Sequence, residues 1–336
     1  MKILSNYNLK NYNTFNVEAE TKFFVRCSSA EEIKELLTEK KFVENKHLII
    51  GKGSNILFTK NFNGLVISPD IQGVTIISEA PEYVKIKVSS GESWDNFVNF
   101  CVEKKYYGVE NLSWIPGNVG AAAFQNIGAY GVEAKDIIET VEAINIKNGK
   151  IEKFRNSECK FGYRTSLFKE KFENQYIIVA VIFNLRKNKY FTLDYQGLKE
   201  ELKKFDKKNI RTIRQAVINL RKSKLPDPKI LGNGGSFFKN PLIDKIKLAE
   251  LIEKFDNVPF FKLAEQKYKI PAAWLIEKAG WRGKKVGNAG SHSKHALVIV
   301  NYGNATGREI WYFFIGRGED LIIYNKSLLV IARALE

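Results

Sequence analysis

Hydrophobic and polar positions change period several times along the chain, and each change marks an element. SSAEEIKELLTEKK (28–41) opens with Ser29 three residues before Glu32, a capping-box spacing. Ile33, Leu36 and Leu37 then recur at helical spacing. KHLIIGKGSNILF (46–58) reads as a strand, a tight glycine turn and a second apolar run. EYVKIKVSSG (82–91) alternates Val84, Ile86 and Val88, the pattern of a half-buried strand. SWDNFVNFCVEKK (93–105) predicts a helix capped near Ser93, and YIIVAVIFNL (176–185) a buried strand. The first half therefore mixes short strands and helices, an α+β pattern.

Residues 203–224, KKFDKKNIRTIRQAVINLRKSK, are strongly basic and helical in period. They read as a junction. Beyond them lie a glycine-rich loop, two helical stretches (KIKLAELIEKF and PAAWLIEKAG) and a strand, HALVIVN, which together predict a second domain. The length of 336 residues suits two or three domains.

Composition narrows the function classes. Hydrophobic residues make up 44% of the chain, enough for a large core. No uncharged apolar run is long enough to span a bilayer, so no membrane partner is expected. The opening MKILSNYNLKNYNTF lacks a continuous apolar segment and predicts no secretory leader. Cys27, Cys101 and Cys159 lie far apart and form no C-x-x-C pair, which argues against a disulfide framework or zinc ribbon and fits a reducing cytoplasm. The formal charge is +16, but the lysines are dispersed and no nucleic-acid-binding motif accompanies them. The basic surface is read as solvated, with an attraction for phosphorylated substrates and no nucleic-acid partner.

Four motifs carry candidate chemistry. GKGSNI (51–56) starts like a dinucleotide fingerprint, but Ile56 stands where the third glycine belongs, so a Rossmann site is rejected. Its backbone N–H groups remain able to hold a phosphate. IPGNVGAAAFQNIGAYGVE (115–133) combines a Pro116–Gly117 turn, small residues from Gly120, amides at Gln125 and Asn126, and Gly128 and Gly131. Small residues with a few polar groups suit a flat ring and a diphosphate. The alternative is a packed small-residue helix, and the four glycines weigh against it. CKFGYRTSLFK (159–169) sets Arg164 beside Tyr163, either a surface side chain or a fixed cation. LGNGGSFFKNP (231–241) places Ser236 between glycines, which permit close approach of a ligand, and two phenylalanines, which can exclude water. His292 and His295 have a metal-compatible spacing but no third ligand cluster, so no metal is expected.

NTFNVEA, GKGSNILF, ENLSWIPGNVGAAAFQNIGAYGVE, CKFGYRTSLFK, LDYQGL and KLPDPKILGNGGSFFKNP follow one another in this order. Together, from about Asn13 to about Asn304, they resemble the UDP-N-acetylenolpyruvoylglucosamine reductase (MurB) family, in its type I branch. The resemblance implies an α+β protein with a vanillyl-alcohol-oxidase/PCMH-like FAD-binding region. Its two subdomains would occupy 1–70 and 71–204, with the FAD region at about 17–188. A C-terminal α+β substrate domain would follow at 205–310, and 311–336 would be a divergent tail. It implies non-covalent FAD held by Gly51, Gly53, Ser54, Asn55, Pro116, Gly117, Gly120, Gln125, Asn126, Gly128, Ala129, Tyr130 and Gly131. NADPH is the implied hydride donor. Reduction of UDP-N-acetylglucosamine enolpyruvate to UDP-N-acetylmuramate, for peptidoglycan, is the implied reaction. Ser236 matches the proton donor, Arg164 the electrostatic arginine, and Tyr195, Lys224 and Asn240 the UDP-sugar contacts. A cytoplasmic monomer is implied.

The chain departs from the family pattern at its end. The Leu-Glu-Pro-Glu-Val element with its catalytic glutamate is absent, and Glu336 stands nearest that position without a flanking proline. Asn16 and Ala273 stand where the family usually has glycine. Two alternatives follow: a catalytically impaired homologue that keeps FAD and the UDP-sugar, and a related flavin oxidoreductase with another substrate.

Overall fold

The computed structural model describes residues 1–315. The chain divides into two compact units. The first gathers Met1–Tyr7, Thr21–Gly53 and Asn63–Lys222; the second gathers Asn8–Glu20, Ser54–Phe62 and the described part of Ser223–Glu336.

The first unit is built on two sheets. One contains β1 (Ile3–Asn8), β2 (Glu20–Cys27), β3 (His47–Ile49) and β4 (Phe62–Pro69) in the order β1-β2-β4-β3, with β3 and β4 parallel. The other starts with β5 (Val74–Glu79) and β6 (Tyr83–Ser89). A short ribbon, β7 (Gly128–Ala129) with β8 (Val132–Glu133), precedes its remaining strands, β9 (Ile138–Asn145), β10 (Ile151–Arg155) and β11 (Tyr176–Arg186). Its order is β10-β9-β11-β6-β5, antiparallel throughout. In β6 the alternation is realised: Val84, Ile86 and Val88 are fully buried. β11 is buried along most of its length because it is central, between β9 and β6.

Six α-helices accompany these sheets. In α1 (Ala30–Thr38) the Ser29 hydroxyl caps the Glu32 N–H at 3.1 Å, as its spacing predicts. The Glu32 carboxylate, however, turns back to the Ser28 N–H and hydroxyl, so only half of the capping box forms. After the single turn α2 (Lys40–Val43) comes α3 (Trp94–Glu103), which buries Trp94, Phe97, Val98, Cys101 and Val102 under the second sheet's core. The expected loop around 120 contains a helix instead, α4 (Val119–Phe124). Tertiary packing decides this: Ala122 and Ala123 are buried, and a Cβ on Gly120 would sit 2.8 Å from Ser90 Cβ. After α5 (Gln196–Leu202), α6 (Ile210–Lys224) starts later than the basic pattern suggests, because the Asn209 side chain accepts the Arg211 and Thr212 N–H groups at its start.

The second unit holds a four-stranded antiparallel sheet. Its strands are β12 (Gly232–Ser236), β16 (Lys285–Val286), β17 (Ala289–His292) and β18 (His295–Asn301), in the order β12-β18-β17-β16. A smaller sheet joins β13 (Leu242–Ile243), β14 (Phe261–Ala264) and β15 (Lys267–Lys269). The helices are α7 (Lys245–Lys254), α8 (Ala272–Lys278) and α9 (Gly307–Ile315). Phe15, Val17 and Leu57 share a core with Phe237, Phe238, Ile299 and Ile310. Asn301 Nδ2 donates to the Phe15 carbonyl at 2.9 Å, and the Asn233 N–H donates to the Thr14 carbonyl at 2.8 Å. Asn16, at a family glycine position, takes φ +55 and anchors to the Pro228 carbonyl at 2.8 Å. Asparagine tolerates this left-handed conformation better than most residues.

Candidate active site

The two glycine-rich motifs of the first unit lie side by side although 66 residues separate their contact points. Asn118 joins them. Its Oδ1 accepts the Lys52 N–H at 2.8 Å, and its Nδ2 donates to the Gly91 carbonyl at 2.8 Å. Gly51 must be small here, since a Cβ would come within 2.8 Å of Asn118 Oδ1. Gly53 follows at φ +62, a conformation that favours glycine. Pro116 and Gly117 form the turn ahead of α4, and the Gly117 carbonyl accepts the Trp94 N–H at 3.1 Å. The Gly120 N–H goes to the Ser90 carbonyl. Ser90 Oγ beside it is buried with no hydrogen-bond partner among the described residues. A glycine-lined cradle with an orphaned hydroxyl at its edge fits a bound group carrying polar atoms such as FAD.

Beyond α4, Gln125 caps the helix end and Asn126 is fully buried. Asn126 organises the loop: its amide donates to Glu133 Oε2 and the Gly162 carbonyl, and its oxygen accepts the Lys135 N–H. Arg164 lies against this loop, its guanidinium donating to the carbonyls of Asn126 and Gly128. A Cβ on Gly128 would meet Arg164 Nη1 at 2.7 Å, so this glycine makes room for the arginine. Burial lowers the Arg164 pKa, while Tyr163 and Glu133 favour the cation. Arg164 is thus a fixed, poorly hydrated charge rather than a surface side chain. Ala129 ends β7, paired with Val132, and Tyr130 and Gly131 make the ribbon turn, Gly131 at φ +85. Tyr130 packs edge-on against Tyr195 at 5.1 Å, and burial pushes its hydroxyl pKa up to about 12.

Arg221 gave no motif signal in the sequence. It lies within electrostatic reach of Tyr130, Asp95 and Arg164, and burial lowers its pKa. Its Nε donates to the Trp114 carbonyl at 3.0 Å. A helical arginine among many basic residues looks like a solvated face; only folding shows that it turns inward.

In the second unit, Ser236 ends β12 opposite Val298 and is exposed. The glycines before it differ in purpose. A Cβ on Gly232 would lie 2.3 Å from the Phe15 carbonyl oxygen, and one on Gly234 would enter the Phe15 ring. Gly235, at φ +69, has open space where its Cβ would be. Phe237 and Phe238 are buried in the core, so they anchor the strand from below. Lys224 is exposed at the end of α6, and Asn240 Oδ1 accepts the Ala272 N–H at the start of α8. Ser54 and Asn55 fall in this unit, just after the Gly53 turn. His292 and His295 pair across the β17–β18 hairpin. Burial, followed by the nearby charges of Lys224, His292 and Arg282, lowers the His295 pKa to about 4. Glu336 lies outside the described residues.

A model of an FAD-binding domain matches residues 21–155, and one described as the UDP-N-acetylenolpyruvoylglucosamine reductase C-terminal domain matches 227–314. The UDP-N-acetylenolpyruvoylglucosamine reductase of Flavobacterium johnsoniae is 47% identical over 92% of each chain. This chain belongs to that reductase family. The reductase of Amoebophilus asiaticus is 43% identical over 93% of this chain and 92% of its own. The reductase from Thermus caldophilus, a crystal structure, matches with TM-score 0.64 at 22% identity, covering 99% of this chain and 93% of that one, and shows the shared fold. The family uses FAD, and the FAD-binding match contains Gly51, Gly53 and the whole 115–131 stretch. As a MurB-type reductase the chain is α+β, as its sequence pattern implies.

Proposed function

We propose that this chain catalyses the NADPH-driven reduction of UDP-N-acetylglucosamine enolpyruvate to UDP-N-acetylmuramate. The observation that carries the reading is the Asn118 bridge, which assembles the two glycine motifs into one FAD cradle within a chain of the reductase family. Bound FAD supplies the hydride carrier between NADPH and C3 of the enolpyruvyl group. Gly51, Gly53, the Pro116–Gly117 turn and Gly120 at the start of α4 hold it through backbone groups, and Gly128–Gly131 line its approach. Ser54, Asn55, Gln125 and Asn126 complete the set proposed around it.

The protein's own chemistry concerns the negative charge that develops as hydride arrives. Arg164, fixed on two backbone carbonyls, offers a cation that needs no reorganisation. The Ser236 hydroxyl delivers the proton to C2. Its exposed position and the empty space above Gly235 leave room for a substrate at the oxygen. Lys224, Tyr195 and Asn240 hold the UDP-sugar, Lys224 as a point charge for the diphosphate. The proposal extends to a cytoplasmic monomer whose partner is this small molecule. No helix among the described residues is long and apolar enough to cross a membrane.

Anaerobic titration with NADPH, followed by addition of the enolpyruvyl substrate, tests the reading. The flavin spectrum should bleach in the first step and return in the second. Bleaching without return would remove the assigned substrate; no bleaching would remove the donor.

A further inference from the structure

Trp114 is not a glycine, yet it has φ +58. It stands immediately before the Ile115–Gly117 turn. Large side chains rarely take this conformation, which survives only where the surroundings over-determine it. Here they do. Asp95, in the first turn of α3, accepts the Trp114 N–H with its Oδ1. The same carboxylate is held by a two-pronged contact from Arg214 on α6, Nη1 to Oδ1 at 2.7 Å and Nη2 to Oδ2 at 2.9 Å. Arg214 is largely shielded from solvent, which strengthens such a fork. On the other side, Arg221 holds the Trp114 carbonyl, and the Lys222 ammonium lies 5.8 Å from the ring centre. α3 grips the same loop twice more, through the Trp94 indole on the Leu112 carbonyl at 2.9 Å and the Trp94 N–H on the Gly117 carbonyl at 3.1 Å.

We propose that Asp95, braced by Arg214, is a positioning residue that holds Trp114 left-handed and thereby sets the 115–118 turn for flavin binding. The inference rests on the reading of that turn as part of the FAD cradle. The carboxylate touches no reacting atom; it acts through the backbone of Trp114. Without it the Trp114 backbone relaxes towards negative φ, the direction of the following residues changes, and the turn loses its preformed shape. Affinity for FAD then falls because binding must restore the strained conformation.

The purified holoprotein, stripped of flavin and titrated with FAD, provides the test. Asp95→Ala should weaken FAD binding by about tenfold or more, the scale of one strained backbone residue. Adding Trp114→Gly to that variant should recover most of the affinity, because glycine takes positive φ without a clamp. General damage to packing would not be repaired by a smaller side chain. If Asp95→Ala does not fold, the same pair of measurements is made on Asp95→Leu, which keeps the side chain's volume but cannot accept the Trp114 N–H. Wild-type affinity in the single variant overturns the proposal, as does a double variant no better than the single one. Gly117→Ala, at φ +119, tests the underlying reading separately. If it alone leaves FAD affinity intact, the turn is not the flavin site. If it weakens FAD while Asp95→Ala does not, the site stands and the clamp falls.

Discussion

Ser236 is exposed at the end of β12 while Phe237 and Phe238 after it are buried in the core, and this sets the sharpest test of its role. Ser236→Ala should leave flavin reduction by NADPH nearly intact and slow reoxidation by substrate by about 10²–10⁴-fold, the usual scale for a lost proton donor. Equal loss in both half-reactions, measured by stopped-flow absorbance, would reduce the hydroxyl to a pocket wall. Arg164→Lys keeps the charge but cannot reach two carbonyls with a planar fork. It should retain FAD and lose turnover; wild-type turnover would make Arg164 background charge. His295 yields a pH dependence. Its folded pKa of about 4 lies below its ordinary value, so between those limits the unfolded chain binds the extra proton. Stability from this group is therefore present near neutral pH and lost as pH falls towards 4. The thermal midpoint should drop across that window, and His295→Gln should flatten the drop.

At the scale of elements, β12 separates packing glycines from a permissive one. Gly232→Ala drives a methyl into the Phe15 backbone and should destabilise the protein by about 1–3 kcal/mol, the range for overpacking. Gly235→Ala meets no atom and bears only the cost of positive φ, of order 1 kcal/mol. Denaturant unfolding of the two variants checks the order; equal losses would contradict it. The same contrast explains what the sequence could convey here. It revealed a glycine run beside a serine, yet not which glycine faces Phe15, a residue more than 200 positions away. α4 is a parallel case: glycine propensity argued for a loop, and the tight fit of Gly120 on Ser90 favoured a helix.

For the whole molecule, the proposed FAD cradle predicts a yellow protein whose cofactor leaves on acid or heat, since no Cys or His stands in either glycine motif to form a flavin link. Saturating the stripped protein with FAD should raise its thermal midpoint by linkage, about 2.7 kcal/mol of stabilisation at a hundredfold excess over Kd. A colourless protein with an unshifted midpoint would contradict the cofactor assignment.

Periods and motifs along the chain determined the α+β class, β6, α3, β11, the two glycine turns and the family, because these depend on residues close together in sequence. The Ser29 cap was legible for the same reason. The tertiary structure alone decided that Asn8–Glu20 and Ser54–Phe62 pack with the C-terminal unit, that Asn118 ties the 51–53 turn to the 115–131 stretch, and that Arg221 turns inward. It also decided that Trp114 is held left-handed between α3 and α6. The physical reason is common to all four. Local pattern reports how a segment can bury its apolar face, whereas a side-chain hydrogen bond or a missing Cβ has meaning only against the partner that long-range folding brings beside it.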